Sequence, residues 1–337
     1  MFRLSFQAER TLEGGFSCLP FPGVGQNCSV PPCCLQGDGK LDVRPPNGVR
    51  RYRDMNSWLF VAPALVLLSI FMIYPIGHSL WMSFQVGRGQ VMSFGGFANV
   101  VRLTRDPVFQ TALVNTLVYL VIQVPVMLTL ALILASALNN PALRGRSLFR
   151  MLIFLPCVMS LVAGSVLFKS MFAVDGVVNR LLLALGGLSQ PIPWLVDPFW
   201  AKVVIMLAVT WRWTGYNMIF FLAALQNIDR SIYEAARIDG IPLIRQFTGL
   251  TVPMLKPVIL FTAVTSTIGT LQLFDEVANI TAGGPSDATL TLSLYIYNLT
   301  FRFMPSFGYA ATVSYVIVAM VGLLAFLQFQ MAKERDR

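Results

Sequence analysis

Residues 226–256 read QNIDRSIYEAARIDGIPLIRQFTGLTVPMLK. Their pattern predicts two short helices joined by a turn. Ser231 and Glu234 have the spacing of a capping box, in which each side chain satisfies a free backbone N–H group at the start of a helix. Gly240 can adopt the left-handed conformation that ends a helix, and Pro242 suits the first position of the next one.

The sequence on both sides of this segment is strongly apolar. Of 337 residues, 55% are hydrophobic and only 12% are charged, against roughly 25% charged in soluble domains. The composition of the whole chain therefore argues against a cytosolic enzyme. It also excludes a wholly disordered protein, a collagen and a coiled coil. Six apolar runs are long enough to cross a hydrocarbon core of about 30 Å. Each must form a helix, because backbone N–H and C=O groups in lipid have to hydrogen-bond within their own segment. We predict an all-α membrane protein with spans at 58–76, 112–138, 151–172, 203–225, 257–277 and 310–330.

The N-terminal part of the chain differs from the rest. Residues 1–54 are rich in Gly and Pro and show no sustained periodicity, which predicts a disordered tail, with Met55 as an alternative start. Residues 55–337 then form one transmembrane domain. His78 is the single histidine of the sequence, so His-based catalysis and multi-His metal sites are excluded. The tail also holds four of the five cysteines, Cys18, Cys28, Cys33 and Cys34.

The distribution of Lys and Arg predicts the orientation of the chain. With the N-terminus inside, fourteen of these residues flank the spans on that side and seven on the other. The positive-inside rule then places both termini in the cytoplasm. The net charge is +9, but the Lys and Arg residues are scattered over the loops and form no basic patch interspersed with aromatic residues. No nucleic-acid partner is therefore expected. Trp194 and Trp200 suit an aromatic belt beside the fourth span.

The loop between spans four and five has features of a contact surface. Ala235 and Ala236 are small enough to allow another helix or a groove to approach closely. Glu234 beside them can accept a charge-assisted hydrogen bond from a partner's arginine. Composition alone leaves a second interpretation open, in which this loop is an amphipathic connector lying on lipid headgroups.

The string Glu234-Ala235-Ala236-x3-Gly240-x9-Leu250-x-Val252-Pro253 resembles the EAA loop of the inner-membrane permease subunits of binding-protein-dependent ABC importers. The resemblance implies that the loop docks on a cytoplasmic ATPase, with the glutamate bonding to it and the glycine making the turn. The run 241–244, Ile-Pro-Leu-Ile, departs from the usual small, polar and aromatic pattern. The implied coupling residues are Glu234, Ala235, Ala236, Asp239, Gly240 and Pro253.

Further segments resemble the sugar branch of this family, the maltose-type first permease subunit. They extend over residues 58–337 and leave the tail outside. The resemblance implies a second six-span permease, two ATPase copies that hold ATP and Mg, an external binding protein and a carbohydrate substrate, with no cofactor in this chain. The segments are Tyr74-Pro75, Leu155-Pro156, Asp175-Gly176-x-x-Asn179, Trp211, Phe274-Asp275, 281–285 (TAGGP) and 307–311 (FGYAA).

Arg212 is the one charged residue well inside a predicted span. A lone guanidinium near mid-bilayer costs at least about 2.5–3.5 kcal/mol on insertion scales, so it needs a partner or a cavity. Asp275 and Glu276 are the candidate partners. A structural ion pair and direct contact with substrate both remain open.

The resemblance also implies a substrate pathway through spans four and five. Aromatic faces stack on sugar rings, and polar side chains replace the hydrogen bonds that the sugar made with water. Helix packing remains an equal alternative for each aromatic side chain. The implied residues are Arg212, Trp213, Tyr216, Ser266, Thr270 and Leu273, and Gln272 lies on the same stretch.

The sequence contains no nucleotide-binding GxxxxGK[ST] loop and no Ser/His/Asp set. We therefore expect a sugar permease of the cytoplasmic membrane without its own catalytic site. A permease for glycerol-phosphate or another polyol is the nearest alternative. An ion-coupled secondary transporter is the alternative from another class and would show inverted repeats and acidic ion ligands near the bilayer midplane.

Overall fold

The computed structural model describes residues 47–89, 91–140, 143–186, 190–303 and 305–334. The described chain is mostly helical, which confirms the all-α membrane class. Its helices are α1 Asn47–Leu68, α2 Tyr74–Ser83, α3 Ala98–Arg105, α4 Pro107–Asn139, α5 Arg146–Val158, α6 Leu161–Met171, α7 Val177–Ala184, α8 Pro198–Gln226, α9 Arg230–Ile238, α10 Leu243–Gln246, α11 Val252–Met254, α12 Lys256–Leu271, α13 Asp275–Ile280, α14 Leu292–Tyr297 and α15 Phe307–Glu334.

Three π-helical turns and one hairpin complete the described structure. The π turns are Ser69–Ile73, Phe247–Thr251 and Asn298–Arg302, each continuous with a neighbouring α-helix. Strands β1, Gln85–Arg88, and β2, Val91–Phe94, pair antiparallel, a small departure from the expectation of helices alone.

The N-terminal prediction falls largely outside the described residues. Residues 1–46 belong to this undescribed part, and α1 begins at Asn47, inside the predicted tail. The chain divides into two compact units, Met1–Pro63 and Ala64–Arg337. The sites discussed below lie in the second unit.

Among the described residues, three helices are long and apolar enough to cross a membrane: Trp58–Ser83, Pro107–Asn139 and Phe307–Lys333. Two bent pairs raise the number to as many as five if each pair is one span: α5 with α6, bent by 100°, and Leu243–Met254 with α12, bent by 73°. The fourth predicted span, 203–225, lies in α8 and does not meet these criteria. This helix is 29 residues long, but its middle carries the polar residues Arg212, Thr214 and Asn217, all buried within the protein.

The predicted third and fifth spans are both interrupted. In the third, Pro156 lies inside α5, and the bend follows it at Met159 and Ser160. The fifth ends at Leu271, short of the predicted residue 277.

Hydrogen bonds from the following segment explain the early end of α12. The Thr291 hydroxyl donates to the Leu273 carbonyl at 2.7 Å, and the Ser293 hydroxyl lies 3.5 Å from the Leu271 carbonyl oxygen that accepts from it. These side chains satisfy carbonyl groups that a longer helix would have used.

Helices α4 and α8 pack along each other at the centre of the protein, and α5 and α12 pack against this pair. Gly215 of α8 makes the contact with α5 possible, because a β-carbon at this position would overlap the Ile153 carbonyl oxygen. The side chains of Tyr119, Ile205 and Phe221 are almost fully buried in this core. The polar middle of α8 is thus held between neighbouring helices.

One carboxylate fixes the start of α4. The Asp106 side chain accepts hydrogen bonds from the backbone N–H groups of Val108 and Phe109. It also accepts from the hydroxyls of Tyr295 and Tyr309, at 2.5 and 2.6 Å. Burial alone would raise the pKa of Asp106, but these four hydrogen bonds outweigh it and hold the pKa below its ordinary value. Asp106 therefore caps α4 and joins it to α14 and α15.

Asn179, in α7, joins the chain before this helix to the loop that follows it. Its amide donates to the carbonyls of Val174 and Ile192 at 3.0 and 2.8 Å. Its Oδ1 accepts from the Trp194 indole at 2.8 Å. Trp194 is buried, with 8% of its surface exposed, so the prediction that it belongs to an interfacial belt is wrong. The Trp194 side chain instead packs inside the protein and ties the loop before α8 to Asn179.

Candidate functional site

Helix α9 starts with a different cap from the predicted one. Asp229 is the N-cap, and its carboxylate accepts from the Ser231 N–H at 3.0 Å. This hydrogen bond lowers the pKa of Asp229. The predicted capping box of Ser231 and Glu234 is therefore wrong, because Asp is an equally strong N-cap and lies two residues earlier. Pro242 is likewise the N-cap of α10 rather than its first residue.

Gly240 ends α9 as predicted. Its φ is +70°, in the left-handed region that favours glycine. The Gly240 N–H donates to the Arg237 carbonyl and the Ile241 N–H donates to the Ala236 carbonyl, both at 3.0 Å. These two bonds form a Schellman motif, which satisfies the last carbonyls of the helix. The turn between α9 and α10 is thereby fixed by the backbone.

The surface around this turn is apolar and exposed. Ile238, Leu243 and Ile244 are 86, 74 and 81% exposed. Of the predicted coupling residues, Ala236 is buried and supports the helix from inside. The others are exposed: Glu234, Ala235, Asp239, Gly240 and Pro253. We call the apolar surface, with Glu234 and Asp239 beside it, the docking turn.

Bonds to the interior hold the docking turn in place. The Tyr233 hydroxyl lies 3.1 Å from the Thr251 hydroxyl, and the Gln246 amide donates to the Ile241 carbonyl at 2.7 Å. A cavity of about 1050 Å³ lies next to the turn, with Glu234 and Leu243 in its wall. The docking turn is therefore anchored at its back and open at its front.

A second cavity, of about 350 Å³, lies among α4, α8 and α12. We call it the central cavity. Five of the six predicted pathway residues line it, and so do both predicted carboxylates. Its described lining is Gln123, Met127, Leu161, Val209, Trp213, Tyr216, Asn217, Thr265, Ser266, Gly269, Thr270, Gln272, Leu273, Phe274, Asp275 and Glu276.

The polar side chains of the central cavity are ordered by hydrogen bonds to one another. The Thr270 hydroxyl donates to Gln123 Oε1 at 3.2 Å. The Ser266 hydroxyl donates to Asn217 Oδ1 at 3.4 Å. The rings of Trp213 and Tyr216 meet edge to face with their centroids 5.7 Å apart. The cavity thus presents an aromatic pair next to hydroxyl and amide groups.

Arg212 is the predicted pathway residue that does not line the central cavity. It is 8% exposed, and its Nη2 donates to the Met159 carbonyl at 2.9 Å, at the bend between α5 and α6. Within the described part of the chain, its Nε and the Glu276 Oε1 have no hydrogen-bond partner. Neither of these two atoms therefore takes part in the predicted ion pair, and the guanidinium instead braces the bend.

Gln123 and Asn217 line the central cavity but were not predicted. They are 3 and 2% exposed. Gln123 could have been found from the sequence, since it is a polar side chain in the apolar run 112–138 and such residues face the interior of a membrane protein. Asn217 could have been found in the same way, since it is a polar side chain in the apolar run 203–225.

The sequence matches the family of binding-protein-dependent transport system inner membrane components over residues 112–333. It is 68% identical over 291 residues to the lactose transport system permease protein LacF of Rhizobium radiobacter, covering 86% of this chain and 98% of the relative. It is 31% identical over 278 residues to the arabinooligosaccharides transport system permease protein AraP of Bacillus subtilis, covering 82 and 88% of the two chains.

The fold is also found in a solved structure. The chain matches, with a TM-score of 0.74 and 23% identity, a subunit in the crystal structure of a bacterial ABC transporter involved in the import of the acidic polysaccharide alginate. The match covers 85% of this chain and 99% of that one. By its fold, its EAA segment and its family match, this chain belongs to the binding-protein-dependent transport system inner membrane components.

Proposed function

We propose that this chain is the membrane subunit of an ABC importer and carries a sugar or oligosaccharide across the cytoplasmic membrane. The relatives transport lactose and arabinooligosaccharides, by their names. The central cavity supports the same substrate class, because it combines an aromatic pair with hydroxyl and amide groups. Lactose, the substrate in the name of the 68% identical relative, is the first sugar to test.

The observation that carries the proposal is the docking turn. Three large apolar side chains stand 74 to 86% exposed around it, although its backbone is fixed by the Schellman motif at Gly240. Burying one such side chain in a partner contributes about 1.5–3 kcal/mol. Glu234 at its edge adds an acceptor for a basic side chain. A rigid, apolar, acid-flanked turn of this kind fits the groove of a separate ATPase subunit.

The remaining parts of the assembly follow from this docking. Two ATPase copies bind ATP and Mg and perform the hydrolysis, and this chain supplies no catalytic residue. A second permease of six spans completes the pathway, and α8 is the fourth of the six spans of this chain. Both termini and the docking turn face the cytoplasm, in accord with the positive-inside rule.

Substrate enters from the opposite face. The alginate transporter has been crystallised in complex with an alginate pentasaccharide-bound periplasmic protein, which supports delivery by a binding protein here. Closure of the ATPase dimer moves the two docking turns together. The bent pairs α5–α6 and Leu243–Met254 with α12 then transmit this movement to the walls of the central cavity.

Co-purification with the partner subunits tests the proposal. The chain is co-expressed with the second permease and candidate ATPases, and the complex is reconstituted with the binding protein and lactose. The wild type should retain the ATPase and show hydrolysis stimulated by the loaded binding protein. Glu234→Ala combined with Gly240→Pro should lose both. Asp175→Ala, which removes an exposed carboxylate away from the docking turn, is the matched control and should lose neither.

Two outcomes contradict the proposal. The first is that wild type and the double variant both bind no ATPase while transport follows a proton or sodium gradient, which identifies a secondary transporter. The second is that the double variant binds and couples as well as the control, which moves the docking surface elsewhere.

A further inference from the structure

The described lining of the central cavity contains acidic side chains and no basic one. Asp275 and Glu276 are part of the wall, and none of its other described residues is Lys, Arg or His. A carboxyl group supplies no positive charge in either protonation state. The cavity is therefore a poor site for an anion, since a buried charge without a partner is strongly unfavourable.

Glu276 is the more deeply placed of the two carboxylates. It is 6% exposed, and its buried Oε1 has no hydrogen-bond partner among the residues that the structure describes. Most buried polar atoms in proteins have a partner. An acceptor that is left open at the wall of a cavity indicates a donor on the occupant, and the hydroxyl groups of a saccharide are donors of this kind.

The positive charge of Arg212 acts on Glu276, but Arg212 is not part of the described cavity wall. It belongs to the same helix as Trp213 and Tyr216, but its Nη2 donates to the Met159 carbonyl. Its guanidinium carbon lies 5.8 Å from the centre of the Trp213 ring. The Trp213 ring itself lines the cavity while the arginine does not.

We propose that Glu276, with Asp275 beside it, makes the central cavity selective for uncharged saccharides and excludes acidic ones. The inference rests on the proposed sugar pathway and adds the charge class of its substrate. The fold by itself does not impose this choice, since a solved transporter of the same fold is involved in the import of the acidic polysaccharide alginate. The selectivity is thus assigned to side chains of this chain. It also argues against glycerol-phosphate as the substrate.

A pair of ligands that differ only in charge tests the inference. The probes are lactose and lactose oxidised to the carboxylate at C6 of its galactose. Binding is measured by quenching of tryptophan fluorescence on the complete complex in nanodiscs, without binding protein, so that the binding protein's own selectivity does not enter. We expect the wild type to bind lactose at least about tenfold more tightly than the oxidised form.

Three variants and one control separate the role of charge from that of folding. Glu276→Gln should reduce the preference for lactose about tenfold, and Glu276→Asp should keep it. Gln272→Lys places a cation at an exposed position of the cavity wall and should strengthen binding of the oxidised sugar. Asp175→Asn, an exposed carboxylate outside the cavity, should leave both affinities unchanged. Retained ATPase in each purified complex shows that the variant is assembled.

The outcomes distinguish this inference from the proposed function. Equal binding of both sugars by the wild type, or an unchanged preference in Glu276→Gln and Gln272→Lys, overturns the selectivity and leaves the sugar pathway in place. Failure of the wild-type complex to bind either sugar, while the ATPase is retained, removes the pathway in this cavity and the inference with it.

Discussion

Replacing Gly240 with alanine tests whether the docking turn is fixed by backbone conformation. The residue has a φ of +70°, and a β-carbon there would have no neighbour within 4 Å. The substitution therefore introduces no clash, and its effect comes from the left-handed conformation alone. For a residue with a β-carbon this conformation costs roughly 1–2 kcal/mol. If the turn is needed for docking, the affinity for the ATPase should fall about 5- to 30-fold.

Gly249→Ala is the matched control for this substitution. Gly249 lies in the same segment and also has no neighbour within 4 Å of a β-carbon, but its φ is not positive. The same chemical change should leave the affinity unchanged there. Gly240→Asn should lie between wild type and Gly240→Ala, because Asn tolerates the left-handed region better than other residues with a β-carbon.

Titration of detergent-solubilised permease with the labelled ATPase measures these affinities, and thermal unfolding verifies that each variant is folded. The reasoning is refuted if Gly240→Ala binds as tightly as wild type. It is also refuted if Gly249→Ala loses as much affinity as Gly240→Ala, since the loss would then not depend on the left-handed conformation.

Two further predictions concern stability and are measured by thermal unfolding in detergent. Gly308→Ala places a β-carbon against the Gln85 carbonyl oxygen and should destabilise the protein by about 1–3 kcal/mol; Gly322→Ala on the same helix meets open space, and an equal loss there would contradict the steric argument. Asp106→Ala removes the cap of α4 and should cost about 0.5–2 kcal/mol at pH 7. The pKa of Asp106 is lowered in the folded state. The full stability difference between wild type and variant should therefore be present above the ordinary aspartate pKa of about 3.9. It should vanish as the pH falls through the lower pKa of the folded state. A difference that persists in acid would show that the carboxylate charge plays no part.

The helices and the docking turn could be predicted from the sequence because both depend on local pattern. Apolar runs identified every long helix, since a membrane span is defined by about 20 consecutive residues of one kind. Gly240 identified the turn because few other residues adopt its conformation. The start of α9 was misplaced for a local reason as well: Asp229 and Ser231 are both strong N-caps, and the sequence alone does not decide between them.

The ends of the spans were less predictable because they depend on distant residues. Helix α12 stops where Thr291 and Ser293 donate to the carbonyls of Leu273 and Leu271, and these two donors lie well beyond the predicted span. Trp194 was assigned to the membrane surface because its partner Asn179 lies in a separate helix, α7, and the contact between them is tertiary. Apolar pattern does not encode such pairings.

Arg212 shows how one such pairing changes the interpretation of a site. From the sequence, a lone guanidinium in an apolar run requires an acceptor, and Asp275 and Glu276 were the acidic candidates on the adjoining span. The structure provides another acceptor, the Met159 carbonyl, which is free because α5 ends there and the chain turns by 100°. This acceptor could not be foreseen without the bend. The guanidinium Nη2 donates at the bend, and the Glu276 Oε1 in the wall of the central cavity keeps an open acceptor among the described residues.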